Sequence, residues 1–281
     1  MKPVRGTLTI LADNIVVGKV DSLGEHGFSV HIKTDKGTYL FDTGKGKTIV
    51  HNATVHKKNL ASLRNIIISH GHGDHTGGLP EVLRFHQQID VLGHPDIFLD
   101  RFRRDKDGTE KYGGIPYTRG YLEKMGARFV LNRDYSEIEK GFCLTGEIPR
   151  ETDFELGDMG DRYGIRDGNV VPEIILDDQS LFIATKRGLL IVLGCAHSGI
   201  INIINYAIKM TGMDTIFAII GGTHLGFSGQ TQLEKTIEAL KTYQIQHLIP
   251  GHCTGIEAAT RISREFETIF HFSHVGMVFE F

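Results

Sequence analysis

Four short apolar runs in this chain each end in small residues followed by a histidine, and this feature constrains the fold more than any other. The runs and their histidines are Ile66–Ile68 before His70, Leu189–Gly194 before His197, Ile216–Ile220 before His224, and His247–Ile249 before His252. If these runs are neighbouring strands, the histidines gather at one edge of a sheet, where α/β proteins place their sites. The pattern therefore predicts a functional site made of histidines.

The segment from His70 to His75 reads His-Gly-His-Gly-Asp-His. In an extended segment, residues two apart point the same way, so His70 and His72 can approach one metal ion together. Asp74 adds an anionic oxygen, and His75, at the start of the next helix, is positioned for a second ion. The intervening glycines permit tight turns. This density of ligand-type side chains indicates a metal centre and not a set of solvated loop histidines.

The apolar periodicity predicts an α/β protein in which helices cover sheets. A hairpin is expected at 28–41, a buried strand at 64–69, and a helix containing Leu79, Val82 and Leu83 on one face. In the last third of the chain, strand-like and helix-like segments alternate. We predict strands at 189–194, 215–220 and 247–249, and helices at 199–210, 231–240 and 255–266.

The composition is that of an ordinary globular protein, with 40% apolar and 23% charged residues among 281. No repeat, low-complexity tract or linker divides the chain. We therefore predict a single domain over 1–281, with an irregular insertion at about 94–172 beside the site.

Charge and cysteine content limit the partners and the compartment. The formal net charge is −3 and no block of Lys or Arg indicates nucleic acid or an anionic membrane. The N-terminal segment lacks the pattern of a signal peptide or a membrane span. The three cysteines make a disulfide framework unexpected. We expect a cytoplasmic protein that acts on a small molecule, and the sequence is compatible with a homo-oligomer.

Taken together, the motifs resemble the metallo-β-lactamase superfamily. The resemblance rests on His-x-His-x-Asp-His at 70–75, on His197 in a Gly-x-x-His-Ser-Gly turn, on Pro250-Gly251-His252, and on Asp42-Thr43-Gly44 after a hairpin strand. It covers nearly the whole chain and is weakest between 94 and 172. It implies an αββα four-layer sandwich with a metal site at one edge of the two sheets.

The resemblance also implies which residues bind metal. His70, His72 and His197 would hold one ion, and Asp74, His75 and His252 the other. Three short sequence motifs, at 146–149, 194–197 and 250–255, resemble those of a narrower subgroup of the superfamily. That subgroup includes an archaeal synthase that makes a dihydropterin-ribofuranosylaminobenzene phosphate in methanopterin biosynthesis.

One position departs from the superfamily pattern. Where many members place an aspartate that bridges two ions, this chain has His224, and a neutral imidazole offers only one lone pair to a metal. We expect His224 to be a ligand all the same. Asp42 is expected as a partner of a metal-bound histidine. Cys195 and Cys253, beside presumed ligands, are expected to fill space in the core, with the alternative that a thiolate ligand would favour zinc.

These features predict a metal-dependent hydrolase that attacks a phosphoester or phosphodiester with a metal-activated water, which Asp74 would orient and deprotonate. The choice of a phosphorylated substrate follows from the resemblance. The alternatives are a synthase-like transferase and a di-iron redox enzyme. A non-catalytic binding module is disfavoured, because every expected ligand position carries a residue that can bind metal. One or two divalent ions are expected, with zinc as the first choice and iron or manganese as alternatives.

Overall fold

The computed structural model describes residues 1–18, 20–155, 157 and 162–281. Its strands, in chain order, are β1 Gly6–Ala12, β2 Ser29–Thr34, β3 Thr38–Phe41, β4 Asn65–Ile67, β5 Ile89–Gly93, β6 Asp100–Arg104, β7 Glu110–Tyr112, β8 Ala127–Leu131, β9 Ser136–Glu139, β10 Phe142–Leu144, β11 Arg162–Arg166, β12 Asn169–Pro172, β13 Ser180–Thr185, β14 Gly188–Leu193, β15 Thr215–Gly222, β16 Gln244–Gly251 and β17 Val278–Glu280. Its α-helices are α1 Ile49–Val55, α2 Gly73–Thr76, α3 Leu79–Leu83, α4 Arg119–Lys124, α5 Ile200–Thr211, α6 Gln230–Leu240 and α7 Ile256–Glu265.

Two large sheets pack face to face and helices cover their outer faces. The first sheet has the strand order β17-β1-β2-β3-β4-β5-β8, and the second β16-β15-β14-β13-β10-β9. Apolar side chains such as Phe28, Phe41, Phe142 and Leu190 fill the space between the sheets. Helices α1, α3 and α4 pack on the first sheet, and α5, α6 and α7 on the second. The predicted αββα four-layer sandwich is confirmed.

The strands that precede the candidate site residues run parallel. In the first sheet β3, β4 and β5 are parallel neighbours, and in the second β14, β15 and β16 are parallel neighbours. Strands β14 and β15 are almost entirely buried, as expected of parallel strands covered on both faces. The carboxyl ends of both sets lead into the same site, because the sheets are stacked with these ends on one side of the molecule.

The span 94–172 is more regular than its composition indicates. Strand β8 extends the first sheet, while β9 and β10 extend the second. Strands β6, β7, β11 and β12 form a small antiparallel sheet of their own. Segments such as Arg101–Arg104 are largely charged and carry little apolar periodicity, so their strand character is hard to detect in the sequence.

In the part of the chain that the structure describes, every helix is too short or too polar to cross a lipid bilayer.

Candidate metal centre

Three histidines bring their nitrogens together at the edge of the two sheets. His70 Nε2 lies 3.0 Å from His72 Nδ1 and 3.3 Å from His197 Nε2. His70 and His72 follow β4 in the first sheet, and His197 follows β14 in the second. The first triad therefore joins the two halves of the sandwich.

A second triad lies beside the first. His75 Nε2 is 3.2 Å from His252 Nε2, and Asp74 Oδ2 is 3.3 Å from His252 Nε2. The Asp74 oxygen lies 3.9 Å from His75 Nε2. The rings of His70 and His75 are 4.2 Å apart between centroids, so the triads are in direct contact.

The outer nitrogens of these rings are held by polar partners, which leaves the inner nitrogens as donors to a metal. His75 Nδ1 lies 2.7 Å from Asp42 Oδ2, and His252 Nδ1 lies 3.0 Å from Asn14 Oδ1. An imidazole N–H that donates to such an oxygen carries its lone pair on the opposite nitrogen. The hydrogen bonds thus select the tautomers that a metal centre requires.

Similar contacts hold the rings of the first triad. His72 Nε2 lies 3.3 Å from Oε1 of the buried Glu173. His70 Nδ1 lies 2.9 Å from Ser69 Oγ, which donates to Asp42 at 2.7 Å. Asp42 therefore holds one ring directly and another through Ser69.

Backbone strain is concentrated around the centre. The backbone φ values of Asp42, Ala196, His224 and His252 are 58°, 57°, 56° and 48°. They lie in the left-handed region, which residues other than glycine rarely adopt. Such conformations persist only where the surroundings enforce them, and they cluster at functional sites. At Gly71, between two histidines of the first triad, an added Cβ would lie 2.2 Å from a backbone oxygen, so the close approach requires glycine.

Burial and neighbouring charges set the protonation of the centre. Burial, together with the positive charge that His75 and His72 can carry, lowers the pKa of His70 well below its usual range and keeps this ring neutral. Burial also acts to lower the pKa of His75, but the Asp42 and Asp74 carboxylates outweigh it and raise this pKa to about 9. Burial disfavours the charge of Asp74, yet His75 and His252 hold its pKa well below its usual range.

The donor set fits divalent metal ions. Two nitrogens that each lie about 2.1 Å from one tetrahedral zinc ion are about 3.4 Å apart. The separations of 3.0 and 3.3 Å in the first triad, and of 3.2 and 3.3 Å in the second, are close to this value. The buried Nε2 atoms of His75 and His252 face each other. A cation bound between them would explain this close approach.

The structure places His224 at the edge of the first triad. Its ring centroid is 4.2 Å from that of His197. Its ligand nitrogen lies within 4.8 Å of the ligand nitrogen of His197 and of Cys195 Sγ. Its assignment as a ligand stays a prediction, as do the roles of the six residues of the two triads.

Sequence reasoning missed three residues that contact the triads. They are Asn14, His26 and Glu173. His26 Nε2 lies 3.3 Å from Asp74 Oδ2, in a group with His252 that could hold a metal. His26 and Glu173 lie in loops outside the four runs that end in a histidine. Asn14 follows the apolar strand β1, but a neutral amide is not a typical metal ligand. No sequence signal therefore singled these residues out. Cys195 had a signal, its position two residues before His197, but we expected it to be structural.

A cavity of about 610 Å³ opens beside the triads. Its lining contains the basic side chains of Lys45, Lys47, Arg101, Arg103, Lys111 and Arg162 and the aromatic rings of Phe102, Tyr112, Tyr117 and Phe227. The acidic residues of the lining are Asp74 and Glu173, which both contact histidines of the centre. The small sheet of β6, β7, β11 and β12 supplies one wall.

Residues 24–200 match the Metallo-beta-lactamase superfamily, and the chain belongs to it. The chain is 33% identical to the 7,8-dihydropterin-6-methyl-4-(beta-D-ribofuranosyl)-aminobenzene-5'-phosphate synthase of Methanocaldococcus jannaschii, over 92% of this chain and 90% of that protein. It is 31% identical to the protein MJ0448 of the same organism, over 96% of this chain and 98% of that one.

Among solved structures, the chain is similar to Tm1679, a metal-dependent hydrolase of the beta-lactamase superfamily. The TM-score is 0.82 at 28% identity, over 98% of this chain and 99% of the other. The synthase and Tm1679 are named as enzymes, and the chain is accordingly an enzyme of this superfamily, whose fold generally binds divalent metals.

Proposed function

We propose that the enzyme hydrolyses a phosphoester or phosphodiester bond of a small molecule at the two triads. The basic lining of the cavity beside the triads is the observation that carries this proposal. A phosphate group is the ligand that such a lining suits, because Lys and Arg side chains both donate to its oxygens and neutralise its charge. The aromatic side chains in the same lining suit a planar organic part of the substrate.

The two triads would hold one or two divalent ions, with zinc preferred by their imidazole-rich donor set. Bound ions lower the pKa of a coordinated water and polarise a phosphoryl oxygen. Asp74, which is ionised, would accept a hydrogen bond from the attacking water and orient it. The water oxygen forms a bond to phosphorus, the bond from phosphorus to the leaving oxygen breaks, and the water proton passes to the carboxylate.

His26 would complete the reaction. Its Nε2 is 3.3 Å from Asp74 Oδ2, and its side chain is half exposed at the cavity. A protonated His26 would give its proton to the leaving oxygen as the bond to phosphorus breaks. Lys45 and Lys47, on the loop after β3, would bind the phosphate oxygens that do not react.

A second candidate is a transferase like the pterin-related synthase. The 33% identity over 92% of the chain favours it. In such a reaction the amino nitrogen of the aminobenzene acceptor would attack the methylene carbon that carries the diphosphate, the bond from that carbon to the diphosphate oxygen would break, and the nitrogen would lose a proton. The same basic lining would bind the diphosphate.

One set of assays separates these functions. Protein purified without added metal is analysed for zinc, manganese and iron, and iron with redox-active spectra would favour the di-iron redox enzyme instead. The zinc-loaded protein is then incubated with bis(p-nitrophenyl) phosphate, and separately with a dihydropterin diphosphate plus ribofuranosylaminobenzene phosphate. Metal-dependent release of p-nitrophenol with no coupled product supports the hydrolase, and formation of the coupled product supports the transferase.

Variants test the site itself. We expect the double variant Lys45→Ala/Lys47→Ala to raise KM about tenfold or more, since a hydrogen bond to a charged group contributes about 1.5–3 kcal/mol. Lys124→Ala, on the exposed side of α4, is the matched control and should leave KM unchanged. If His72→Ala kept both the full metal content and the full activity, the assignment of the centre would be wrong.

A further inference from the structure

Cys195 occupies the space where the two triads meet. It follows β14 and is buried, with 3% of its surface exposed. Its Sγ lies 3.0 Å from His75 Nε2. The same sulfur lies within 4.8 Å of the ligand nitrogens of His70, His197 and His252. It therefore reaches donor atoms of the first triad and of the second, as a ligand shared by two ions must.

The other two cysteines have contacts that differ from those of Cys195. The Cys253 thiol donates to the backbone oxygen of Cys195 at 3.6 Å and accepts the His224 backbone N–H at 3.3 Å. Cys143 is buried in β10 and belongs to an apolar core cluster. Both Cys195 and Cys253 line the cavity, and both sulfurs lie near the ligand nitrogen of His252, but only Cys195 belongs to groups that contain histidines of both triads.

The charge of the centre also calls for another anionic ligand. The first triad consists of three imidazoles, which supply no negative charge, and the second contributes the single carboxylate of Asp74. Two divalent ions would carry four positive charges into a site where most side chains are buried, and buried charge is unfavourable unless it is compensated. His224, at the position of the superfamily's bridging aspartate, adds no negative charge.

We propose that Cys195 binds metal as a thiolate, with its sulfur between the two triads in place of a bridging carboxylate. On binding, the S–H bond breaks, the proton passes to solvent, and sulfur forms its bond to the metal. Thiolate is a soft ligand, so the centre would prefer zinc over manganese. This inference rests on the metal centre of the proposed function but does not depend on the substrate.

Cobalt substitution tests the assignment on the full chain. The Co²⁺-loaded wild-type protein is expected to show the intense near-ultraviolet absorption of a sulfur-to-cobalt charge transfer. Cys195→Ser should remove this band, and Cys253→Ser, the matched control, should keep it. A band that persists in Cys195→Ser, or that only Cys253→Ser removes, would overturn the assignment.

A second measurement needs no variant and is decisive if Cys195→Ser fails to fold. X-ray absorption of the zinc-loaded wild-type protein should show a sulfur scatterer at about 2.3 Å from zinc. A shell of nitrogen and oxygen alone refutes the proposal. If the metal has a sulfur ligand but the protein cleaves no phosphoester, this inference stands and the proposed function fails. If the protein cleaves phosphoesters but its metal has no sulfur ligand, the proposed function stands and this inference fails.

Discussion

The Asp42 carboxylate supports rings of both triads. Its Oδ2 accepts from His75 and from Ser69 Oγ, and its Oδ1 accepts the Ser69 backbone N–H at 2.7 Å. Asp42 is completely buried. An oxygen that fixes the tautomer of a metal-binding histidine also raises its basicity, so the effect on metal binding should be measurable.

We therefore expect Asp42→Asn to weaken zinc binding about 10–100-fold. Competition with a chromophoric chelator measures the dissociation constant. Asp178→Asn is the matched control, because Asp178 is also buried but contacts Ser198 and not a histidine of the centre. Equal zinc affinity in Asp42→Asn and the wild type would show that Asp42 does not orient the ligands.

His31 offers a prediction outside the centre. It lies in β2 with 4% of its surface exposed, and its Nε2 has no hydrogen-bond partner among the described residues. Burial, and then the charges of Lys58 and Lys33, lower its pKa to about 4. An unfolded chain takes up this proton near the ordinary value of 6.5, so the free energy of unfolding should fall as the pH decreases from 6.5 to about 4.

Urea denaturation at several pH values measures this effect. The wild type should lose more stability between about pH 7 and about pH 4 than His31→Leu, in which this proton uptake is absent. His51→Leu, which replaces an exposed histidine, should follow the wild type. An identical pH dependence in His31→Leu and the wild type would mean that His31 is not held neutral by the fold.

At the scale of elements, the sequence was informative where strands are parallel and buried. The runs before His70, His197, His224 and His252 are apolar because both faces of their strands are covered, and parallel pairing brings their ends together. The rest of the site could not be predicted in the same way. His26 lies in a loop, and its contact with Asp74 depends on how the chain folds between distant residues.

The small sheet of β6, β7, β11 and β12 was missed for a related reason: it is charged and largely exposed. Arg101 in β6 anchors it, with 1% of its surface exposed. Its guanidinium donates to Asp177 at 2.5 Å, and Asp177 also accepts the Gly71 backbone N–H at 2.8 Å. The wall of the cavity is thus tied to the turn between His70 and His72.

Arg101→Met should lower the free energy of unfolding by about 3–5 kcal/mol, because it leaves the buried Asp177 charge without its partner. Arg103→Met, on the same strand, removes an exposed ion pair with Asp105 and should cost about 0–1 kcal/mol. Urea denaturation of both variants provides the comparison. Similar costs for the two substitutions would show that the Arg101–Asp177 pair does not anchor the sheet.

For the molecule as a whole, the centre is a cross-link between the two halves of the sandwich. His70, His72, Asp74 and His75 come from the segment after β4 in the first sheet, whereas His197 and His252 follow strands of the second. Apart from the centre, apolar packing holds the sheets together at this interface. An ion bound to residues of both halves stabilises the folded state, since the unfolded chain does not preserve the arrangement.

Removal of the metal should therefore lower Tm, and zinc should restore it. At a free zinc concentration 1,000 times the dissociation constant, binding adds about 4 kcal/mol to the free energy of unfolding. The double variant His197→Ala/His252→Ala, which removes one histidine of each triad from the second sheet, should show little of this shift. Thermal unfolding with and without chelator, accompanied by metal analysis, is the measurement. If chelation removed the metal from the wild type but left Tm unchanged, the centre would not connect the two halves energetically, even if it still served the reaction.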